Sequence, residues 1–353
     1  MKIIDNYLGR AVIFSSMMTL FILMLISGFF AFIEELGDIH GEYTALKALE
    51  YVLSVLPRLG YELFPTAILL GTLMSLGAMA SHSELIVLRA AGLSLTRITV
   101  AVLKAGLFLM LIGIILGEVV APVAEQHGQQ IRTAAKTSSV AIRAKNGIWS
   151  KQKKNFIQIG QVYPDMRLAD VTIYAFGEHS RLLRMIKAKS ATYHDDTWDL
   201  NDVTITVFEK KSFRQKQVGQ MAWRGLVEPS MFDALTVKAP FLSIISLYKY
   251  VNYLKQSGQD AAQYELAFWM KIFKPFSALI MLLIAMPFLF GSLRSSSMGQ
   301  RLLVGVLLGL GFHMSNQALN HIGVGYGLNP VMSAALPSMV FAMGGIIALR
   351  KIF

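Results

Sequence analysis

No cysteine occurs among the 353 residues, which excludes disulfides and thiolate metal sites. Charge is scarce as well: Asp, Glu, Lys and Arg make up 16% of the chain, against 54% hydrophobic residues and a mean hydropathy of +0.51. An ordinary water-soluble globule does not fit that balance, whereas an integral membrane protein does. Also missing are the G-x-x-x-x-G-K-[ST] phosphate loop, H-E-x-x-H and G-x-S-x-G. Neither nucleotide hydrolysis nor the common hydrolase chemistries are therefore encoded by these motifs, and no catalytic residue is expected. The seven histidines are scattered without metal-ligand spacing, so no metal site is expected either.

What is present is a set of six apolar runs, Ala11–Ile33, Leu63–Ala80, Thr99–Ala121, Ala267–Phe290, Leu302–Ile322 and Pro330–Leu349. Each approaches the ~20 residues that a helix needs to cross a hydrocarbon core. A polar block from about Pro122 to Ala262 divides them three and three. The expected domains are 1–121 with three spans, 122–262 as an extramembranous block with its return segment, and 263–353 with three more spans. The net charge of +11 is concentrated in the block, where 20 Lys and Arg face 12 Asp and Glu. Such a surface suits an anionic partner such as lipid phosphates, nucleic acid or an acidic protein face, and it equally describes a basic solvated surface.

Short connections set the expected orientation. Arg89 and Arg97, Arg294 and Arg301, and the closing Arg350 and Lys351 mark the cytoplasmic side by the positive-inside bias, with Lys2 and Arg10 ahead of a retained signal anchor. Both termini then face the cytoplasm and the polar block lies outside. Thr44–Leu56 reads as a short amphipathic helix capped by Thr44, and Pro65 as the start of the second span. Gly113 with Gly117 and Gly305 with Gly309 have GxxxG spacing, a pattern expected to serve packing within the chain.

Inside the block, Phe156–Gly160, Val171–Phe176, Ala188–Tyr193 and Val203–Phe208 read as strands separated by turn residues, giving an antiparallel sandwich or roll with no internal repeat. Its interior is either a packed core or a slot for acyl chains. Leu242–Leu254 reads as a helix or strand-to-helix junction, and Pro275 and Pro287 are expected to bend the fourth span.

Three groups of residues are candidates for function. In span five, His313, Asn316, Gln317, Asn320 and His321 fall on one helical face, a stripe that in hydrocarbon must meet protein or water. It serves either interhelical hydrogen bonds or a hydrated cavity. Arg132, Lys136, Lys271 and Lys274 lie near the outer membrane boundary, where they suit an anionic headgroup or act as snorkelling anchors. Residues 81–95 form a short helix, with Ser81 or Ser83 as cap, Glu84 in the first turn and Gly92 at the end. Its apolar face fits the membrane surface or a docking partner.

Four stretches carry a resemblance that covers essentially the whole chain: Ser83-Glu84-Leu85 through Arg89-Ala90-Ala91-Gly92, Gly117-Glu118-Val119-Val120-Ala121-Pro122, Tyr250 through Asp260, and Phe290-Gly291-Ser292-Leu293-Arg294-Ser295. Together with the three-plus-three layout they resemble the LptF/LptG permease family of the Gram-negative lipopolysaccharide export transporter, an ATP-binding-cassette system. The third stretch favours the G-type branch over the F-type.

The resemblance implies an inner-membrane α-helical protein with six transmembrane helices and a periplasmic antiparallel β-jellyroll. Such a subunit is not an enzyme and holds no cofactor; ATP and magnesium belong to the partner ATPase. Its implied partners are a homologous LptF permease, an LptB ATPase dimer, single-span LptC, the periplasmic LptA bridge, the membrane and lipopolysaccharide as cargo, with no nucleic acid. Residues 81–95 become the coupling helix, in which Glu84, Leu85, Leu88 and Arg89 meet the ATPase. The first and fifth spans line lateral gates. Some family members place a lysine near the outer end of the first span; here Ala31 stands there, followed by Glu34 and Glu35, so Arg132 and Lys136 become the phosphate candidates. Ser292 stands where proline is common, a change expected to alter a turn. The alternatives are an F-type permease, a gradient-driven lipid transporter using span five, and a membrane-anchored scaffold.

Overall fold

The computed structural model describes residues 2–40, 43–136, 142–152, 155–163, 167–177, 181–194, 197–209, 212–223, 239–256, 258–290 and 297–351. These fall into two compact units. The first comprises Met1–Gly37, Val52–Glu125 and Ala262–Phe353, and the second Asp38–Tyr51 and Gln126–Ala261. Among the described residues, six helical segments are long and apolar enough to cross a membrane.

In chain order, α1 (Lys2–Leu36) is followed by α2 (Ala45–Ser81), which belongs to the first unit from Val52 onward, the short α3 (Glu84–Ala90) and α4 (Leu95–Ile115). The expected break before the second span is absent: Thr44–Leu56 and the span form one 37-residue helix that runs through Pro57 and Pro65. The Thr44 cap is there, accepting from Lys47 N at 3.5 Å. Pro65 thus lies inside the helix, where it removes one donor without stopping the apolar face from packing.

The third span also exceeds its expected end at Ala121. A π-helical turn, Leu116–Val120, joins α4 to α5 (Ala121–Lys136), and Ala121 N donates to the Leu116 carbonyl. Pro122 supplies the physical reason, because it has no N–H and its ring crowds the preceding turn, which a π-bulge relieves.

In the second unit, α6 (Ile244–Gln256) forms a helix where Leu242–Leu254 was read as a helix or a strand-to-helix junction; in the first unit the fourth span is built from α7 (Ala262–Phe273), a 3₁₀ turn Lys274–Phe276 and α8 (Ser277–Phe290). The turn sits at Pro275, as the sequence predicts. Helices α9 (Met298–Gly325) and α10 (Pro330–Arg350) complete the unit; the Ser297 and Gln300 side chains form a capping box at α9.

Helix α2 is the axis of this core. Ala67, Ile68, Leu69, Leu73 and Leu76 are buried against Leu8 and Val12 of α1, Ile98 and Val102 of α4, and Met281 and Leu282 of α8. Glycines allow the approach: a Cβ at Gly117 would meet the Tyr61 ring at 2.3 Å, and one at Gly309 would meet Thr66 at 2.5 Å. Both GxxxG pairs therefore pack inside the chain, as expected.

Among the described residues, the second unit contains an antiparallel sheet in the order β1-β2-β3-β4-β5-β6: Ile142–Gln152, Asn155–Val162, Leu168–Phe176, Leu182–His194, Thr197–Phe208 and Phe213–Trp223. The inserted antiparallel β domain is thus present, and its described strands pair with their sequence neighbours as a meander. The turns proposed at Pro164-Asp165 and Asp195-Asp196, and Glu178, lie outside the described residues.

A bend line crosses four of the strand pairings. Gly160, Asp170, Lys189, Asp202 and Gly219 fall in successive gaps of the register, for example between Ala169↔Ser190 and Val171↔Ala188. Asp170 and Asp202 have φ of 52° and 53°, the left-handed region that Asp tolerates better than most residues. Crossing the line shifts the alternation by one residue, so Leu168 joins Val171 and Ile173, and Leu200 joins Val203, in one buried cluster.

The bend exposes a repeat where none was expected. Leu168–Phe176 reads LADVTIYAF and Leu200–Phe208 reads LNDVTITVF, both carrying the left-handed Asp at the third position. Nine residues is too short to announce itself as a repeating architecture.

Candidate functional site

The loop between α2 and α4 is shaped by backbone more than by side-chain caps. Ser83 adopts φ 63° and makes no side-chain cap bond, contrary to expectation; its carbonyl accepts from Ile86 and Val87 N. Ser81 Oγ instead donates to the Gly77 carbonyl at 3.0 Å. Gly92, at φ 89°, ends α3 as predicted, with Gly92 N donating to the Arg89 carbonyl and Leu93 N to that of Leu88.

This geometry sorts the four sequence candidates. Leu85 is buried and Leu88 packs against the same core, so both face inward. Glu84 accepts from Tyr7 Oη at 2.8 Å, and Arg89 is exposed. The outward apolar surface consists of Ile86 and Val87, 45% and 65% exposed, which the sequence reading did not single out. Between α3 and the end of α8 lies a cavity of about 330 Å³ lined by Leu85, Ile86, Arg89, Leu289 and Phe290. One side of a seven-residue helix thus holds the bundle while the other offers an acid, a base and two apolar side chains.

The candidate cations at the other end are engaged. Lys271 is 5% exposed, pairs with Glu118 at 2.9 Å and donates to the Gly117 carbonyl at 3.1 Å. The π-helical turn brings these two groups to it. Lys274 Nζ sits 4.0 Å from the centre of the Tyr61 ring, a cation–π contact. Arg58 pairs with Glu125, 2% exposed, and with Glu62, both at 2.9 Å. Arg58 and Glu125 were invisible as a pair because they lie far apart in sequence, although Arg58 and Glu62 have helical i,i+4 spacing.

In the second unit, Arg132 pairs with Asp38 at 3.1 Å and its guanidinium lies 5.3 Å from the Tyr51 ring centre. Lys136 ends α5; its side chain, like that of Asn320, lies outside the described part of the structure.

Of the described stripe residues on α9, His313, Gln317 and His321 are exposed and Asn316 is half-buried. His313 and Gln317 are exposed and interact through Nε2 atoms 3.0 Å apart, while Asn316 donates to the Phe312 carbonyl at 2.9 Å. These bonds stay within one helix, so the interhelical role held open from the sequence is not what the described residues show. The most apolar stretches of α9 and α1 are 17% and 22% buried, against 67% for α2. Among the described residues, α1 and α9 therefore leave most of their apolar stretches exposed.

The profile of the family described as "Lipopolysaccharide export system permease LptF/LptG" matches residues 6–351. The chain belongs to the LptF/LptG permease family. Among its relatives is "Lipopolysaccharide export system permease protein LptG" of Escherichia coli (strain K12), 35% identical over 343 residues that cover 96% of this chain and 95% of that protein. The protein of the same description from Haemophilus influenzae is 33% identical over 341 residues, with the same coverage. Both relatives belong to the G-type branch of the LptF/LptG family, and the six spans with an inserted antiparallel sheet fit it.

Proposed function

We propose that this chain is the G-type permease subunit of a lipopolysaccharide exporter: it extracts the lipid from the inner membrane and passes it to a periplasmic bridge, driven by ATP hydrolysis in a partner. The match over residues 6–351 carries this reading. The proposed partners are LptF in the membrane, an LptB dimer at α3, single-span LptC and the LptA bridge. Loop charge supports placing both termini in the cytoplasm and the β domain in the periplasm.

The structure supports a division of labour. Moving several acyl chains out of a bilayer costs about 0.8 kcal/mol per CH₂, so extraction needs an outside energy source. Helix α3 provides the surface for one, through Glu84, Ile86, Val87 and Arg89. The polar stripe of α9 and the exposed face of α1 then border the path of an amphiphilic cargo, whose headgroup needs polar neighbours and whose chains need apolar ones. With Lys271 and Lys274 held in internal contacts, direct phosphate binding is assigned to neither; they brace the bundle.

Glu84→Ala and Glu84→Lys test the reading. In membranes containing the partner permease and ATPase, both variants are expected to reduce ATPase co-purification and ATP-dependent lipid release, Lys more than Ala. Lipid release by the chain alone, without a nucleotide-hydrolysing partner, would instead establish a gradient-driven transporter.

A further inference from the structure

The loop carrying α3 is gripped from two sides by the least buried helices. From α9, Arg301 reaches into the end of α2, where Nη1 donates to the Gly77 carbonyl and, at 3.1 Å, to Ser81 Oγ. Arg301 is 4% exposed. A cationic side chain used only as a membrane anchor extends its head to water; this one is buried against the last turn of a helix, where the negative end of the dipole favours a cation and the Gly77 carbonyl accepts from Arg301 as well as from Ser81 Oγ. Gly77 leaves room for it, since a Cβ there would lie 2.7 Å from Arg301 Nη1.

From α1, two residues reach the other side of the loop. One guanidinium nitrogen of Arg97, at the start of α4, donates to both carboxylate oxygens of Asp5 at 2.7 and 2.9 Å. Lys104 adds a bond to Asp5 at 2.9 Å, but with its side chain 56% exposed it contributes less. Tyr7 Oη donates to Glu84 on α3 itself. The helix before α3, the helix after it and α3 are thus each tied to an edge helix by a polar contact distant in sequence.

We propose that Arg301, Asp5 and Tyr7 are transmission residues, fastening α9 and α1 to the ends of the coupling loop so that displacement of α3 by a partner reaches both edge helices. This rests on the function proposed above and adds the route by which a push at α3 moves the helices facing the lipid. Polar contacts suit that task, because they have a fixed geometry and are costly to leave unmade.

The test uses the complete transporter in proteoliposomes containing lipopolysaccharide, with ATP hydrolysis and lipid release measured in parallel. Arg301→Gln, Gly77→Ala and Tyr7→Phe are expected to keep hydrolysis within about twofold of the original chain while lipid released per ATP falls about fivefold or more for Arg301→Gln. Arg301→Lys, which keeps the cation, should recover part of that ratio. If Arg301→Gln does not assemble, Gly77→Ala and Tyr7→Phe decide the matter, because each removes a contact from the partner side or by a single hydroxyl. An unchanged release-to-hydrolysis ratio in assembled variants overturns the proposal and marks the contacts as structural pins. Failure of the unmodified complex to release lipid with ATP refutes the underlying function instead, a result visible before any variant is made.

Discussion

Helices α2 and α9 are both long and apolar, yet the most apolar stretch of α2 is 67% buried and that of α9 is 17% buried. Helix α2 shares a buried core with α1, α4 and α8; its own Arg58 pairs with the buried Glu125, and Lys271 pairs with Glu118 beside it. Helix α9 touches α2 along Gly305 and Gly309 and through Arg301, while His313 and Gln317 look outward. The same hydropathy therefore serves two purposes: a scaffold held by close packing and ion pairs, and a border helix that leaves most of its apolar stretch exposed. A machine that moves lipid needs both, because movement of one helix requires something that does not move.

The contrast can be broken first at the scaffold. Lys271→Ala takes the buried cation from its pair with the half-buried Glu118, a loss bounded by the about 3–5 kcal/mol typical when one member of a fully buried pair is removed. Thermal unfolding in detergent is expected to show that loss, with Lys271→Met/Glu118→Gln recovering most of it; an unshifted midpoint in Lys271→Ala would show that the pair does not brace the bundle. Next comes the seam between the two helices. A Val side chain at Gly309 would drive into Thr66, an overpacking worth about 1–3 kcal/mol, and should weaken α9 docking measured by crosslinking to α2. The smallest effect is expected at the border: Gln317→Ala should change stability by less than about 0.5 kcal/mol while reducing lipid contact. Equal destabilisation at Gln317 and Lys271 would erase the distinction between scaffold and border.

Much of this organisation was legible in the sequence. Six apolar runs, the polar insertion, the bend at Pro275 and the end of α3 at Gly92 all follow from length, hydropathy and the conformations of proline and glycine. Strands β2 to β5 were visible through alternating apolar residues. Strands β1 and β6 were not, because IRAKNGIWSKQ and FRQKQVGQMAW lack a clean apolar period, and β6 is largely exposed. The bend also hid from period-two reading, since the left-handed Asp170 and Asp202 shift the phase midway along their strands.

The candidate site was legible in part. Arg89, His313 and Gln317 are exposed, while Glu84 and Asn316 are half-buried. Lys271 and Lys274 looked like free cations because their partners, Glu118 and Tyr61, are more than a hundred residues away in sequence. The ties of Arg301 and Asp5 escaped for the same reason: a charge near the end of an apolar run reads as an orientation signal until the helix packed against it is known.

A photocrosslinking residue at Gln317, compared with one at Leu69 of α2 in the complete transporter, tests the central division most directly. The account predicts a lipopolysaccharide adduct at position 317, diminished when ATP is supplied and the cargo leaves, and none at position 69. Adducts at both positions, or an adduct at 317 unaffected by ATP, would contradict it.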